Sequence, residues 1–153
     1  MLQAANQRIL AETGADLFVT VFYGILDPDS GTLTYCNAGH HPPYLLSAQA
    51  EGGSQALPGR GIALGVVEET GWGHTTIQFP PGTLLFLYTD GVVDAQNPQQ
   101  EPFGSERLLE AVQANQGRTA QEMQDDLLSR LQRFIGDAPQ FDDITLMVIA
   151  RNP

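Results

Sequence analysis

Residues 83–97 read TLLFLYTDGVVDAQN, and this stretch decides the fold. A run of apolar and aromatic residues at positions 84–88 follows the turn-forming residues 80–82 (PPG) and leads into Asp90-Gly91. A short apolar run bounded by turn residues is typical of a strand buried on both faces, although a buried helical segment shows the same pattern. The sequence therefore predicts a central strand with a carboxylate at the end where the strand leaves the core.

A second stretch, residues 141–150 (FDDITLMVIA), places Asp142 and Asp143 before another apolar run. If the two strands are antiparallel, Asp90 and Asp142 meet at one edge of a sheet. Gly91 lets a ligand approach the backbone closely, or lets the chain take a positive φ. Hard cations such as Mg²⁺ and Mn²⁺ take oxygen ligands, so this edge suits them. A tight turn at Asp90-Gly91 and a solvated loop at 142–143 explain the same residues, and this alternative stays open.

Composition narrows the class of protein. The chain has 153 residues, which predicts one domain, and carries 18 acidic against 7 basic residues, a net charge of −11. That balance argues against nucleic acid and against an anionic membrane surface as partners. No apolar run approaches the length of about 18 residues that spans a bilayer. The single cysteine, Cys36, is expected to be a buried strand residue and fits a reducing compartment, so we expect a cytoplasmic location.

The other elements follow from periodicity and turn residues. We expect a helix over 2–12, strands over 17–26 and 32–37 joined by a five-residue turn, and an extended segment at 44–46. An exposed loop over 48–61 and a buried loop or short edge strand at 64–67 precede a half-buried strand at 74–79, which forms a second hairpin with the central strand. Two helices follow, from Ser105 to Ala114 and, after a capping box at Thr119 and Glu122, to residue 135. This order predicts an α+β fold with an antiparallel sheet.

Five blocks in this order resemble the metal-dependent (type 2C, PPM) serine/threonine protein phosphatases of the bacterial RsbU/SpoIIE-like branch. They are 18–46 (FVTVFYGILDPDSGTLTYCNAGHHPPYLL), 64–66 (LGV), 82–97 (GTLLFLYTDGVVDAQN), 103–110 (FGSERLLE) and 141–149 (FDDITLMVI). The resemblance covers nearly the whole chain. It implies an antiparallel β-sandwich flanked by helices, with a site for two Mn²⁺ or Mg²⁺ ions at one end.

The resemblance also implies roles for individual residues. Asp90 and Asp142 correspond to metal ligands, Gly91 belongs to the same Asp-Gly motif, and Asp143 stands where many relatives have asparagine. Two metals would activate a water for attack on phosphorus without a covalent intermediate, so no residue is expected to be a catalytic nucleophile. His40 occupies a family histidine position, which implies a role near the phosphate or the metal, although a histidine that only bonds a loop backbone is the favoured alternative.

Arg60 is the remaining candidate for the substrate site. A guanidinium group in this loop would pair with a substrate phosphate, although a lone loop arginine is more often solvated.

The departure from the family pattern is large. The N-terminal aspartate motifs of the types GDFYD and GDVSGxG do not occur in this sequence. We therefore expect residues 1–153 to be the C-terminal two thirds of an N-terminally truncated domain, in which Asp90 and Asp142 form half of one metal site and metal binding is weak or absent. The strand edge left unpaired by the truncation favours a homo-oligomer.

Two functions remain open. The first is part of a phosphatase that acts on a phosphorylated regulatory protein of the anti-sigma-factor-antagonist type. The second is a non-catalytic binding or regulatory module that keeps the sheet without a complete metal site.

Overall fold

The computed structural model describes residues 1–13, 17–47, 53–59 and 61–152. The helices in these ranges are α1 (Leu2–Thr13), α2 (Asp90–Val93), α3 (Gly104–Gln113) and α4 (Ala120–Ile135). The strands are β1 (Val21–Asp27), β2 (Thr32–Ala38), β3 (Tyr44–Leu46), β4 (Ser54–Ala56), β5 (Thr75–Gln78), β6 (Thr83–Tyr88) and β7 (Leu146–Arg151).

The chain divides into two compact units. The first contains residues 1–42 and 58–79, and the second contains residues 43–57 and 80–153. The first unit holds a sheet of order β1-β2-β5, and the second holds a sheet of order β4-β3-β6-β7. Every pair of neighbouring strands in these sheets is antiparallel. The predicted α+β class with antiparallel sheets is therefore confirmed.

The predicted hairpin at the start of the chain forms from β1 and β2. Asp27 pairs with Thr32, so four residues connect the strands instead of the predicted five. The Asp27 carboxylate accepts hydrogen bonds from the backbone of Asp29 at 3.0 Å and from the Ser30 hydroxyl at 2.7 Å. Asp27 is thus the last residue of the strand, and its side chain also stabilises the turn. Because aspartate is a typical turn residue, the sequence predicted Asp27 to lie within the turn.

Helix α1 is held by a buried side chain. Asn6 accepts a hydrogen bond from the backbone N–H of Gly65 at 2.7 Å and donates to the carbonyl of Val67 at 2.9 Å. Both amide functions of Asn6 are therefore satisfied, as a fully buried polar side chain requires. Leu64 pairs with Val19 only as an isolated bridge, so residues 64–67 form a loop anchored on α1 and not an edge strand.

The predicted second hairpin, between residues 74–79 and the central strand, is wrong. Strand β5 pairs with β2 in the first sheet, whereas β6 pairs with β3 and β7 in the second. The flanking backbone bonds continue this division, because Phe79 donates to the Gly31 carbonyl and Gly82 donates to the Arg151 carbonyl, each at 2.7 Å. The two prolines between them have no N–H to contribute to a ladder, and the chain passes from one sheet to the other at this point.

The second sheet follows the prediction at its centre and departs from it at its edges. Strand β6 is buried on both faces, and Phe86 is completely buried. Strand β7 is only half buried, with Met147 57 % exposed, because it lies at the edge of the sheet. Strand β4 lies inside the region predicted to be an exposed loop, since three residues without apolar alternation give no strand pattern.

Helix α4 has both features that its sequence predicted. The Thr119 hydroxyl accepts from the Glu122 backbone, and the Glu122 carboxylate accepts from the Thr119 backbone, which completes the capping box. The apolar stripe of α4 enters the core that surrounds β6, through buried Met123, Leu127 and Leu131.

Helix α3 begins before the predicted cap. It starts at Gly104 and not after Ser105, next to buried Phe103, and Gly104 has a φ of 79°, which a residue with a side chain rarely adopts.

Strand β1 presents an apolar edge. Within the described residues β1 has one strand neighbour, β2, and its Ile25 side chain is 59 % exposed. Leu26 and Tyr23 are also exposed, as are Leu17 and Phe18 just before the strand. Unpaired strand edges with apolar side chains favour pairing with another chain. Strand β1 is therefore the candidate for the predicted unpaired edge.

We expect the 153-residue chain to self-associate through β1, and Ile25→Lys to shift it toward the monomer, because a charge on an edge strand opposes edge-to-edge pairing. Light scattering after size exclusion measures the change. Gln78→Lys is the matched control, since it adds the same charge to exposed β5. A monodisperse monomer for the unsubstituted chain at high concentration would contradict the prediction.

Candidate metal centre

The end of β6 and the start of β7 bring the two acidic segments together. Tyr88, the last residue of β6, pairs with Leu146, the first residue of β7. The antiparallel pairing required for Asp90 to approach the 142–143 segment is therefore confirmed. Asp90 begins α2 one residue after the strand ends, and Asp142 and Asp143 lie in the segment that enters β7.

Thr89 extends this strand pairing by one further residue. Its N–H donates to the Thr145 carbonyl at 3.0 Å, and the Thr145 N–H donates to the Thr89 hydroxyl at the same distance. The Thr89 hydroxyl in turn donates to the Asp143 carbonyl at 3.1 Å. Sequence reasoning missed Thr89, although a threonine directly before an Asp-Gly pair at a strand end is a recognisable backbone-bonding position.

Gly91 lies against the backbone of the second acidic segment. A Cβ atom built on Gly91 would overlap the carbonyl oxygen of Asp143 and lie 2.8 Å from its carbonyl carbon. Gly91 is helical and buried and does not have a positive φ. Glycine at position 91 therefore allows the backbone of the Asp143 segment to approach closely, and it is not required by a positive φ.

The candidate carboxylates are accessible and have oxygens that face solvent. Asp90, Asp142 and Asp143 are all exposed. One oxygen of Asp90 accepts from the Gly91 N–H at 3.0 Å, and one oxygen of Asp142 accepts from the Asp143 N–H at 2.7 Å. These local bonds hold each carboxylate near its own backbone, and the second oxygen of each remains available for a ligand.

Asp90, Asp142 and Asp143 offer the type of ligand atom that a hard cation prefers, but they are too few to form a complete ligand set. Carboxylate oxygens are the ligands that Mg²⁺ and Mn²⁺ prefer. Across residues 1–13, 17–47, 53–59 and 61–152, however, no group of three or more histidine, cysteine, aspartate or glutamate side chains is placed to hold a metal. The described residues therefore supply only part of a ligand set.

His40 belongs to the first unit and is bound into its own loop. The backbone N–H of His40 donates to the Asn37 side chain at 2.8 Å, and Asn37 donates back to the His40 carbonyl at 2.9 Å. Ring atom Nδ1 lies 2.8 Å from the carbonyl oxygen of His41. Since a carbonyl only accepts, Nδ1 carries the proton and Nε2 is the ring atom left to bind a ligand.

Two other residues were singled out by the sequence. Arg60 lies outside the described residues, although its neighbours Gly59 and Gly61 line a cavity of about 230 Å³. Cys36 is buried in β2, as predicted, and this burial raises the pKa of its thiol. A raised pKa keeps the thiol protonated and unreactive near neutral pH.

The arrangement of two antiparallel sheets with flanking helices matches PP2C-type phosphatase domains. The SiaA PP2C domain of Pseudomonas aeruginosa superimposes with a TM-score of 0.83 at 21 % identity, covering 97 % of this chain and 58 % of that one. The phosphatase domain of the cell fate determinant SpoIIE from Bacillus subtilis superimposes with a TM-score of 0.68 at 16 % identity, covering 99 % and 65 %. The fold is therefore that of a PP2C-type phosphatase domain.

Sequence comparison identifies the family. The profile described as Stage II sporulation protein E (SpoIIE) matches residues 1–152, and the chain belongs to this family. It is 36 % identical to Protein IcfG of Synechocystis sp. over 152 residues, which are 99 % of this chain and 24 % of that protein. It is 27 % identical to the phosphoserine phosphatase RsbU of Bacillus subtilis, covering 99 % of this chain and 44 % of that protein. The chain thus spans less than half the length of these relatives.

The family is one of metal-dependent hydrolases. The predicted resemblance to PPM phosphatases of the RsbU/SpoIIE-like branch is therefore confirmed. None of the helices in the described ranges is long and apolar enough to cross a membrane.

We expect Gly91→Ala to destabilise the protein by about 1–3 kcal/mol, because the new methyl group overlaps the Asp143 carbonyl and forces the two acidic segments apart. The midpoint of urea unfolding measures the change. Gly71→Ala is the matched control, since a Cβ atom at Gly71 meets nothing within 4 Å. Equal unfolding midpoints for the two variants would show that the segments are not in close contact.

Proposed function

We propose that residues 1–153 form the C-terminal part of a metal-dependent protein serine/threonine phosphatase domain within a longer cytoplasmic protein. The substrate is phosphoserine or phosphothreonine on a bacterial regulatory protein of the anti-sigma-factor-antagonist type. Membership of the SpoIIE family supports the reaction class, and the name of the relative RsbU, a phosphoserine phosphatase, supports the substrate group. The SpoIIE phosphatase domain of Bacillus subtilis has also been solved in a Mn-presoaked form, which is consistent with Mn²⁺ or Mg²⁺ as the cofactor.

The observation that carries this proposal is the contact between the Asp90-Gly91 segment and the Asp142-Asp143 segment. Backbone pairing through Thr89 and the close approach at Gly91 hold the two acidic segments at one edge of the second sheet. A turn or a solvated loop would account for either segment alone. The pairing of β6 with β7 brings the two exposed acidic segments side by side in spite of their mutual repulsion, and a shared cation would offset that repulsion.

The chain's own residues have separate roles in this proposal. Asp90 and Asp142 hold the metal, and Asp143 contributes its carboxylate or its backbone at the same place. Thr89 and Gly91 position these segments. When bound, two such ions activate a water for attack on phosphorus and offset the charge on the phosphoryl oxygens. His40 and Arg60 remain the candidates for binding the phosphate group of the substrate.

A non-catalytic binding module is the second candidate. The observation that favours it is the shortage of ligands, because the described residues do not provide three metal-binding side chains in one place. The two candidates differ in whether a longer form of the protein supplies further carboxylates to this edge.

We expect Mn²⁺ and Mg²⁺ to bind the 153-residue chain with a dissociation constant weaker than micromolar, because few carboxylates replace the ordered waters of a small, strongly hydrated cation. Isothermal titration calorimetry measures the affinity. Binding at micromolar strength or tighter that disappears in Asp90→Ala would show that the ligand set is already complete. Asp125→Ala, an exposed carboxylate on α4, controls for the loss of one negative charge.

We expect the 153-residue chain to be essentially inactive on p-nitrophenyl phosphate with Mn²⁺, whereas a longer form that supplies the missing carboxylates is active. Asp90→Asn or Asp142→Asn should lower the kcat of that longer form by at least about a hundredfold, since each substitution removes a direct ligand and outer partners alone contribute up to that factor.

Asp125→Asn in the same longer form is the control and should retain full activity. An inactive longer form supports the binding module. Metal-dependent turnover by the short chain, abolished by Asp90→Asn, would show that another carboxylate completes the site, with Asp143 and the α2 C-cap residue Asp94 as the nearest candidates.

A further inference from the structure

The basic residues of this chain are unevenly distributed. All seven are arginines, set against 18 acidic residues. Three of the seven line one groove of about 390 Å³ between α3 and α4, which we call the arginine groove. Its lining consists of Phe103, Arg107, Glu110, Arg130, Arg133 and Phe134. The groove therefore has an excess of positive charge on a protein that is otherwise strongly acidic.

Arg107 is fixed in place by the groove itself. One terminal nitrogen donates to the carbonyls of Pro102 and Phe103, each at 3.1 Å. The guanidinium carbon lies 5.0 Å from the centroid of the Phe134 ring, and that ring packs edge-on against Phe103 at 5.3 Å. A cation–π contact and two hydrogen bonds thus hold the guanidinium group before any partner arrives.

The helix dipole does not favour an arginine at this position. Arg107 is the fourth residue of α3, near the positive end of the helix dipole, where a cation is unfavourable.

The charges of the three arginines are not equally available. Arg130 forms an ion pair with Asp126 at 2.7 Å. The Asn115 side chain also donates to this carboxylate at 2.7 Å, and that bond and the Arg130 pair lower the pKa of Asp126. Arg133 uses Nε to donate to the Ser129 carbonyl at 3.1 Å, which leaves both terminal nitrogens for a ligand. Within the described part of the chain, Arg107 and Arg133 form no ion pair.

We propose that the arginine groove docks an acidic segment of a partner polypeptide. Carboxylates of this segment pair with Arg107 and Arg133 on the two facing helices, and its carbon side chains cover the half-buried ring of Phe134. Arginine and aromatic residues are enriched in protein interfaces, where they contribute a large share of the binding energy. A guanidinium group that is already ordered loses less entropy on binding than a free side chain.

Two observations favour separate carboxylates over a single phosphate group. The available guanidinium groups are on different helices, which suits charges spaced along a peptide. Glu110 also lines the groove, and its carboxylate repels a dianion more strongly than a monoanion. This inference does not rest on the proposed phosphatase activity, because docking requires neither the metal nor Asp90.

The test is the binding of a fluorescently labelled oligo-glutamate peptide to the 153-residue chain, followed by fluorescence anisotropy at low and high salt. We expect salt-sensitive binding that becomes about tenfold weaker in the Arg107→Gln/Arg133→Gln double variant, since an exposed ion pair contributes up to about 1 kcal/mol. The matched control is Arg8→Gln/Arg118→Gln, which removes the same charge elsewhere and should bind within about twofold of the unsubstituted chain.

Arg107 packs on Phe134, so its loss affects folding as well as charge. Arg133→Glu alone, which leaves that contact intact, should also weaken the peptide complex, and thermal unfolding checks that each variant is folded. Three outcomes would overturn the proposal. They are no binding to the unsubstituted chain, equal weakening in both double variants, and displacement of the peptide by inorganic phosphate at an equal concentration of negative charge.

Discussion

The antiparallel pairing of β6 with β7 is the constraint on which the candidate site depends. It sets Tyr88 opposite Leu146, and the Thr89 hydroxyl carries the pairing one residue further, to Thr145 and Asp143. Because side chains alternate between the faces of a strand, a slip of one residue would move every side chain of β6 to the opposite face and disrupt the packing of its buried residues. The burial of Phe86 and Tyr88 thus fixes the register, and the register fixes which acidic residues meet.

Backbone groups also fix the charged side chains at the two candidate sites. Exposed carboxylates at the end of β6 and at the start of β7 are held together by backbone bonds and not by any attraction between them. The arginines of α3 and α4 also rely on backbone carbonyls, in the cases of Arg107 and Arg133. In the acidic segments and in the arginine groove, backbone bonds hold side chains of like charge that do not neutralise one another. The acidic segments therefore keep a negative potential and the arginine groove a positive one, and each is available to a ligand.

Local patterns predicted the elements whose signals are complete within a few residues. The capping box of α4, the burial of β6, the hairpin of β1 and β2 and the burial of Cys36 all follow from residue types at short range. The predicted second hairpin failed because the strands that pair with β5 and β6 are distant in the chain. The Pro80-Pro81 connection indicates a turn but not the sheet that the chain enters next, and β4 exists only because β3 is available as a partner.

The sequence by itself determined the fold class, the family and the two acidic segments, because apolar periodicity, turn residues and motif order are properties of neighbouring residues. Only the tertiary structure decided that Thr89 joins those segments, that Gly91 makes room for Asp143 and that arginines from two helices share one groove. These contacts link residues that are far apart in the chain. Their geometry depends on strand register and helix packing, which arise from the burial of the whole core and not from the residues at the contact.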